Sequence, residues 1–178
     1  MPPEPGFAIW ITGLPASGKS SLTRRLVALL ARLGVATEVL ESDRLREQLT
    51  PQPTYTPAER ELFYRALAFF GSRLAAHGVN VIFDATANRR TYRDLARGGC
   101  ERFVEVAVDC PLEVCRARDR KGTYQKGLDG RSQTVPGLGD AYEPPLHPDV
   151  VVHSDRESLE AGAERVLGVL RQRGYLPG

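Results

Sequence analysis

The chain has no apolar run approaching the roughly 20 residues that a membrane span requires. Met1 to Gly6 is rich in proline and carries neither a basic segment nor an apolar core, so it does not read as a signal peptide. Residues 1–6 are expected to be flexible, and the expected location is cytoplasmic. Cysteine is scarce. Cys100, Cys110 and Cys115 make an odd count without metal-ligand spacing, and Cys110 and Cys115 read as small buried hydrophobes in a reducing compartment. Excess charge is missing too: 24 basic against 22 acidic residues leave a net +2, which gives no argument for nucleic acid or an anionic membrane as partner. Lysine is nearly absent, so almost all positive charge is arginine, and two of the three lysines, Lys121 and Lys126, lie together late in the chain. There is no internal repeat, linker or low-complexity tract, and 178 residues fit one domain with a substantial core.

Against these absences stands one stretch, Ala8-Ile9-Trp10-Ile11-Thr12-Gly13-Leu14-Pro15-Ala16-Ser17-Gly18-Lys19-Ser20-Ser21. Gly13, four residues and then Gly18-Lys19-Ser20 form the phosphate-loop pattern G-x-x-x-x-G-K-[ST]. Phe7 to Ile11 is apolar and β-prone, as a buried parallel strand should be. After the loop, Leu22, Leu26, Leu29, Leu30 and Leu33 fall on one helical face, and Gly34 follows as a C-terminal cap. Strand, glycine loop and helix aim successive backbone N–H groups and a helix N-terminus at a phosphate. In this cradle, built from Gly13 and from Ala16 to Ser21, Lys19 reaches the β- and γ-phosphates and the Ser20 hydroxyl can ligate Mg²⁺. The expected ligands are therefore a nucleotide and Mg²⁺.

Apolar and helical segments alternate along the rest of the chain, which predicts a parallel sheet flanked by helices. Further strands are expected at Ala36 to Leu40, at Val79 to Phe83, at Phe103 to Val108 and at Val150 to Val152. Thr56-Pro57-Ala58-Glu59 is a capping box with proline at the first helical position. Leu62, Phe63, Ala66, Leu67, Phe70 and Leu74 are expected on the buried side of that helix, which leaves Arg60 and Arg65 as surface charges. Residues 118–148 have little apolar periodicity, many glycines and prolines, and a basic start, as a lid over polyphosphate would. A closing helix carrying Leu159, Ala163, Val166, Leu167 and Leu170 is expected to be capped near Ser154 or Asp155.

Phosphoryl transfer needs positioning and charge neutralisation more than covalent help. Asp43 follows the second strand, where it can orient or deprotonate an acceptor hydroxyl, although it can also cap a helix starting at Arg44. Asp84 ends the third strand beside the loop, where it can hold Ser20 or a Mg²⁺-bound water. A nucleotide-binding switch without an acceptor would need neither an acceptor base nor a basic lid.

Three blocks give the chain a resemblance to the adenylylsulfate kinase family. The first is the loop from Gly13 to Ser21. The second joins Leu40-Glu41-Ser42-Asp43-Arg44-Leu45-Arg46, similar to L-D-G-D-x-x-R, to Tyr55-Thr56-Pro57 with Arg60-Glu61, similar to F-S-P-x-x-R-E. The third, most specific, runs from Pro111 to Cys115 through Arg118-Asp119, Lys121-Gly122, Tyr124 and Lys126 to Pro136-Gly137-Leu138 and Tyr142-Glu143. The resemblance implies a three-layer P-loop NTPase of the nucleoside- and adenylate-kinase type, a single kinase domain over 1–178 with its lid and the loop that follows it at about 118–148. It implies ATP-dependent phosphorylation of the 3′-hydroxyl of adenosine 5′-phosphosulfate in sulfate assimilation, with this small nucleotide as acceptor. In that reading Asp43 and Lys19 are catalytic, and Arg118, Lys121 and Lys126 close over ATP. Arg46 and Arg60 hold the acceptor's phosphosulfate, Tyr55 stacks on its adenine, and a homodimer is implied.

Three departures fall on the acceptor side. The family's N-I-R-R, whose asparagine contacts the acceptor base, reads Phe63-Tyr64-Arg65-Ala66. Its I-S-P-Y-R, whose serine has been linked to a phosphoenzyme, reads Thr86-Ala87-Asn88-Arg89-Arg90, so direct in-line transfer is expected. Val135 stands where the second aromatic of the adenine clamp belongs. An alternative acceptor hydroxyl, on a modified nucleotide, a polynucleotide end or a small metabolite, stays open at this point.

Overall fold

The computed structural model describes residues 3–176. Five strands form one parallel sheet in the order β2-β3-β1-β4-β5: β1 is Phe7–Gly13, β2 Thr37–Glu41, β3 Asn80–Asp84, β4 Arg102–Asp109 and β5 Val150–His153. Every residue of β1 is buried because it lies centrally and its two faces pack against helices. Its alternation sorts the core. Phe7, Ile9 and Ile11 point toward α1 (Lys19–Arg32) and α7 (Leu159–Gln172), joining Leu22, Leu26, Leu30, Val166 and Leu167. Ala8 and Trp10 point the other way, toward α3 (Pro57–Ala76) and α4 (Arg90–Gly99), and Trp10 stacks on Phe83 with ring centroids 4.6 Å apart. The chain passes from β1 outward to β2 and β3, then crosses to β4 and β5, so the crevice beside β1 opens at the carboxyl ends of the strands, where ligands sit in such sheets.

Several expectations need correcting. On α3 the inward residues are Arg60, Phe63, Tyr64, Leu67, Ala68, Gly71 and Ala75, while Leu62 (70% exposed), Phe69 and Phe70 face out. The expected stripe is thus turned, and Arg60 is no surface charge. Of the closing helix, α7, the N-cap is Ser158, whose hydroxyl accepts from Ala161 N, rather than Ser154 or Asp155, and Leu159 is exposed, as is Leu33 at the end of α1. Asp43 does not cap: it lies in the first turn of α2 (Ser42–Leu49). Glu4 pairs with Arg102 at 2.7 Å, Arg102 also donates to Pro5 O, and Gly6 N donates to Ala75 O, so this end of residues 1–6 is tied down; Met1 and Pro2 lie outside the described residues. Residues 118–148 are better packed than their composition suggests. They contain α6 (Thr123–Leu128), and Tyr124 and Val135 join Cys110 and Cys115 in a small core of their own.

A buried charged network supports the site from beneath. Arg93, fully buried, donates to Glu105 at 2.8 Å, to Ala87 O at 2.5 Å and to Glu143 O at 2.7 Å, tying α4, β4 and the chain beyond the lid together.

Candidate active site

The cradle lies between β1 and α1. Gly18, just before α1, has φ 104°, a left-handed conformation that glycine adopts at least cost. Ala16 takes the same region at φ 57°. Ser17 is fully buried and its hydroxyl has no hydrogen-bond partner among the described residues, while its carbonyl accepts from Ser154 Oγ at 2.6 Å. Arg118, at the C-terminal end of α5 (Leu112–Ala117), donates to Ser154 O at 3.1 Å and Ser154 Oγ at 3.3 Å, so Ser154 links it to the loop. Tyr124 OH donates to Pro15 O at 2.9 Å and braces the loop from the lid side.

Lys19 is half-buried rather than free in solvent, as a loop lysine would be expected to be before nucleotide arrives. Its Nζ folds back onto Gly13 O at 3.1 Å and Leu14 O at 2.9 Å. Burial pushes its pKa down, opposed by the nearby carboxylates of Asp84 and Asp43. Asp84 pairs in register with Ile11 at the end of β3. Burial raises its pKa, and Lys19 and the Ser20 and Thr23 hydroxyls pull the other way, although Thr23 Oγ1 makes no hydrogen bond of standard geometry. Asp43 meets Lys121 across the crevice at 2.7 Å, and that bond raises the pKa of Lys121. The Asp43–Lys121 pair therefore joins the second strand's end to the lid. Lys126 is exposed at the end of α6, with no hydrogen bond or ion pair from its side chain among the described residues.

Arg46, Tyr55 and Arg60 come together on the other side of Asp43. Arg46 is 7% exposed; its guanidinium carbon lies 3.8 Å from the centre of the Phe63 ring, 5.1 Å from Tyr55 and 5.7 Å from Tyr64, with Glu59 at 3.3 Å. Arg60, 6% exposed, donates to Tyr55 O at 3.1 Å, to Asn88 Oδ1 at 3.2 Å and to Thr134 O, and faces Asp140 at 3.6 Å. Asn88 in turn donates to Asp140 Oδ2 and Ala141 O. Tyr55 has φ 54° and Ala87 φ 42°; with Ala16 these are the non-glycine residues of positive φ among the described residues, Ala16 in the phosphate loop, Tyr55 beside Arg46 and Arg60, and Ala87 next to Asn88. Such outliers in a bulky residue concentrate at functional sites. Val135 packs into the small lid core and supplies no second face for a base. Sequence reasoning passed over Glu59 as a ligand holder, Asn88, Asp140 and Ser154. Glu59 was visible only as a capping residue, and the other three act through partners 28 to 137 residues away.

A phosphate loop, carboxylates at the start of α2 and the end of β3, and a basic segment that reaches Asp43 through Lys121 define a P-loop phosphotransferase. The family model of adenylylsulphate kinase matches residues 5–153. The chain is 43% identical over 175 residues to the adenylyl-sulfate kinase of Myxococcus xanthus, covering 96% of this chain and 94% of that one. It is 38% identical over 173 residues to that of Rippkaea orientalis, covering 97% and 96%. Among solved structures, the APS kinase of Mycobacterium tuberculosis in complex with AMPPNP and APS superposes with a TM-score of 0.88 at 32% identity, over 95% of this chain and 99% of that one. The chain belongs to the adenylylsulfate kinase family.

Proposed function

We propose that the chain transfers the γ-phosphoryl group of ATP to the 3′-hydroxyl of adenosine 5′-phosphosulfate, giving 3′-phosphoadenosine 5′-phosphosulfate. The observation that carries this reading is a family match that takes in the cradle, the Arg46–Tyr55–Arg60 cluster and the lid together. The similar Mycobacterium enzyme was solved with APS and with AMPPNP, an ATP analogue whose bridging nitrogen stands in for the β,γ oxygen.

The geometry and the resemblance support the following roles. Residues 13–21 receive the ATP phosphates, Lys19 exchanging its two loop carbonyls for phosphate oxygens. Arg118, Lys121 and Lys126 cover the nucleotide from the lid. Arg46 and Arg60 hold the acceptor's anionic group, and Tyr55 lies against its adenine. Asp43 orients the hydroxyl and takes its proton as the phosphorus–oxygen bond forms. With Ala87 at the position where the family carries serine, transfer is direct and in line.

Mg²⁺ would be held by Ser20 and Asp84. One hydroxyl and one carboxylate suit a hard cation that keeps phosphate oxygens and waters as its other ligands, and among the described residues no cluster of three acidic, histidine or cysteine side chains offers an all-protein cage. When bound, the ion neutralises charge on the phosphates. The homodimer implied by the resemblance is supported by an exposed apolar strip on α3, Leu62, Phe69 and Phe70, which a second copy would cover. Turnover of ATP against a panel of hydroxyl acceptors tests the function: adenosine 5′-phosphosulfate should be preferred, and preference for a neutral metabolite would overturn the reading.

A further inference from the structure

We propose that Glu59 is the positioning residue of the acceptor half-site: its carboxylate aims Arg46 and fixes the Tyr55 turn, and so sets affinity for the acceptor's anionic group. The inference rests on the reading of Arg46 and Tyr55 as acceptor-binding residues.

A glutamate three residues past a threonine cap is expected to reach back to the cap's own N–H. Half of that box is present, since Thr56 Oγ1 accepts from Glu59 N at 3.3 Å. The carboxylate goes elsewhere. Oε2 accepts from Thr54 N at 2.7 Å and Thr54 Oγ1 at 2.6 Å, while Oε1 accepts from Tyr55 N at 3.2 Å and from Arg46 at 3.3 Å. A carboxylate has about four lone-pair positions, and all are taken, so Glu59 is not itself a ligand group. Its work is done through its partners.

Both partners need holding. Tyr55 has φ 54°, and its peptide is clamped from two sides: its N–H by Glu59 and its carbonyl by Arg60 Nε at 3.1 Å. The Arg46 guanidinium carbon lies 3.8 Å from the Phe63 ring centre, a contact that cation–π attraction favours but that does not by itself point the N–H donors in one direction. Glu59 is its carboxylate partner among the described residues, and that hydrogen bond is directional where the ring contacts are not. The remaining N–H donors are then left for an anion. Phe63 stands where the family motif has asparagine, so this chain buries the arginine against a ring and depends on the carboxylate for aim. Loss of Glu59 should not unfold the helix, because Thr56 and Pro57 still cap it and the 54–56 turn is exposed.

The test uses the full chain with ATP and adenosine 5′-phosphosulfate. Glu59→Gln keeps size and an acceptor oxygen but removes the charge; Glu59→Ala removes both; Arg46→Ala is the reference. Glu59→Gln is expected to raise the acceptor KM about ten-fold, the low end for a charged hydrogen bond, with kcat within about three-fold and the ATP KM unchanged. Combined with Arg46→Ala, its effect should shrink to well below the product of the two, because it acts through that arginine. An unchanged acceptor KM in Glu59→Gln, beside a raised one in Arg46→Ala, overturns the role of Glu59 and leaves the site reading standing. Fully multiplicative effects, or loss of fold in both Glu59 variants, also overturn it. If Arg46→Ala itself leaves the acceptor KM unmoved in an active enzyme, the acceptor-site reading falls first.

Discussion

Replacing Asp43 by asparagine keeps the side chain's size and hydrogen-bonding reach but removes its charge and its capacity to take a proton at neutral pH. The structure separates what this should do to stability from what it should do to rate. The Asp43–Lys121 pair is solvated, with side chains 66% and 71% exposed, and Asp43 caps no helix. A pair of that kind contributes about 0–1 kcal/mol, which for a chain of this size moves the melting temperature by no more than about 4 °C. Loss of a general base removes about 10²–10⁴-fold from kcat, equivalent to roughly 3–5 kcal/mol of barrier. The ATP KM should change little, since Asp43 lies outside the cradle. Initial rates of ADP release with both substrates saturating, beside a thermal melt, measure the two quantities. A kcat within a few-fold of wild type would refute the assignment of Asp43 as base. A large drop in melting temperature would show that the pair is structural after all.

Lys19→Ala should abolish ATP turnover and leave the circular dichroism and melting curve near wild type; near-normal turnover in the folded mutant would remove the cradle assignment. Arg60→Ala should raise the acceptor KM by the equivalent of about 1.5–3 kcal/mol and also lower the melting temperature, because it removes the donor to Asn88 Oδ1 and Thr134 O and the charge facing Asp140; a shift in ATP KM instead would mean the two sites are reversed. Glu105→Ala leaves Arg93 buried without its carboxylate and should destabilise by about 3–5 kcal/mol, read by denaturant unfolding; a loss below about 1 kcal/mol would show the network to be dispensable. Residues 120–147 should resist limited proteolysis once both nucleotides are bound, since closure excludes water from the reacting phosphate; equal cleavage with and without nucleotides counts against a lid.

The phosphate loop was legible because its chemistry is local: glycines, lysine and serine act within a few residues of one another. The sheet was legible because its strands read as short apolar runs bounded by turns. The turn of α3 was not. Hydropathy places the large residues Leu62 and Phe70 inward, but Phe83 and Leu40 already fill the gap between helix and sheet, and a Cβ on Gly71 would fall 2.2 Å from the Phe83 ring. Small residues, Ala68, Gly71 and Ala75, therefore face the sheet, and the large ones are displaced to solvent. Arg60 looked like a surface charge for the same reason and was rescued only by the motif it sits in. Its partners Asn88 and Thr134 lie 28 and 74 residues away, and no local pattern announces them. The lid hid its core because four buried side chains, Cys110, Cys115, Tyr124 and Val135, are spread over a stretch without regular period.

The central claim is the identity of the phosphorylated hydroxyl, and the product itself tests it. ATP labelled at the γ-phosphorus, incubated with the chain and adenosine 5′-phosphosulfate, should yield a labelled nucleotide whose phosphorus resonance and mass correspond to a 3′-phosphate on an intact phosphosulfate, with one ADP released per product. Label appearing only as inorganic phosphate, or on a different hydroxyl acceptor in preference to adenosine 5′-phosphosulfate, would contradict it.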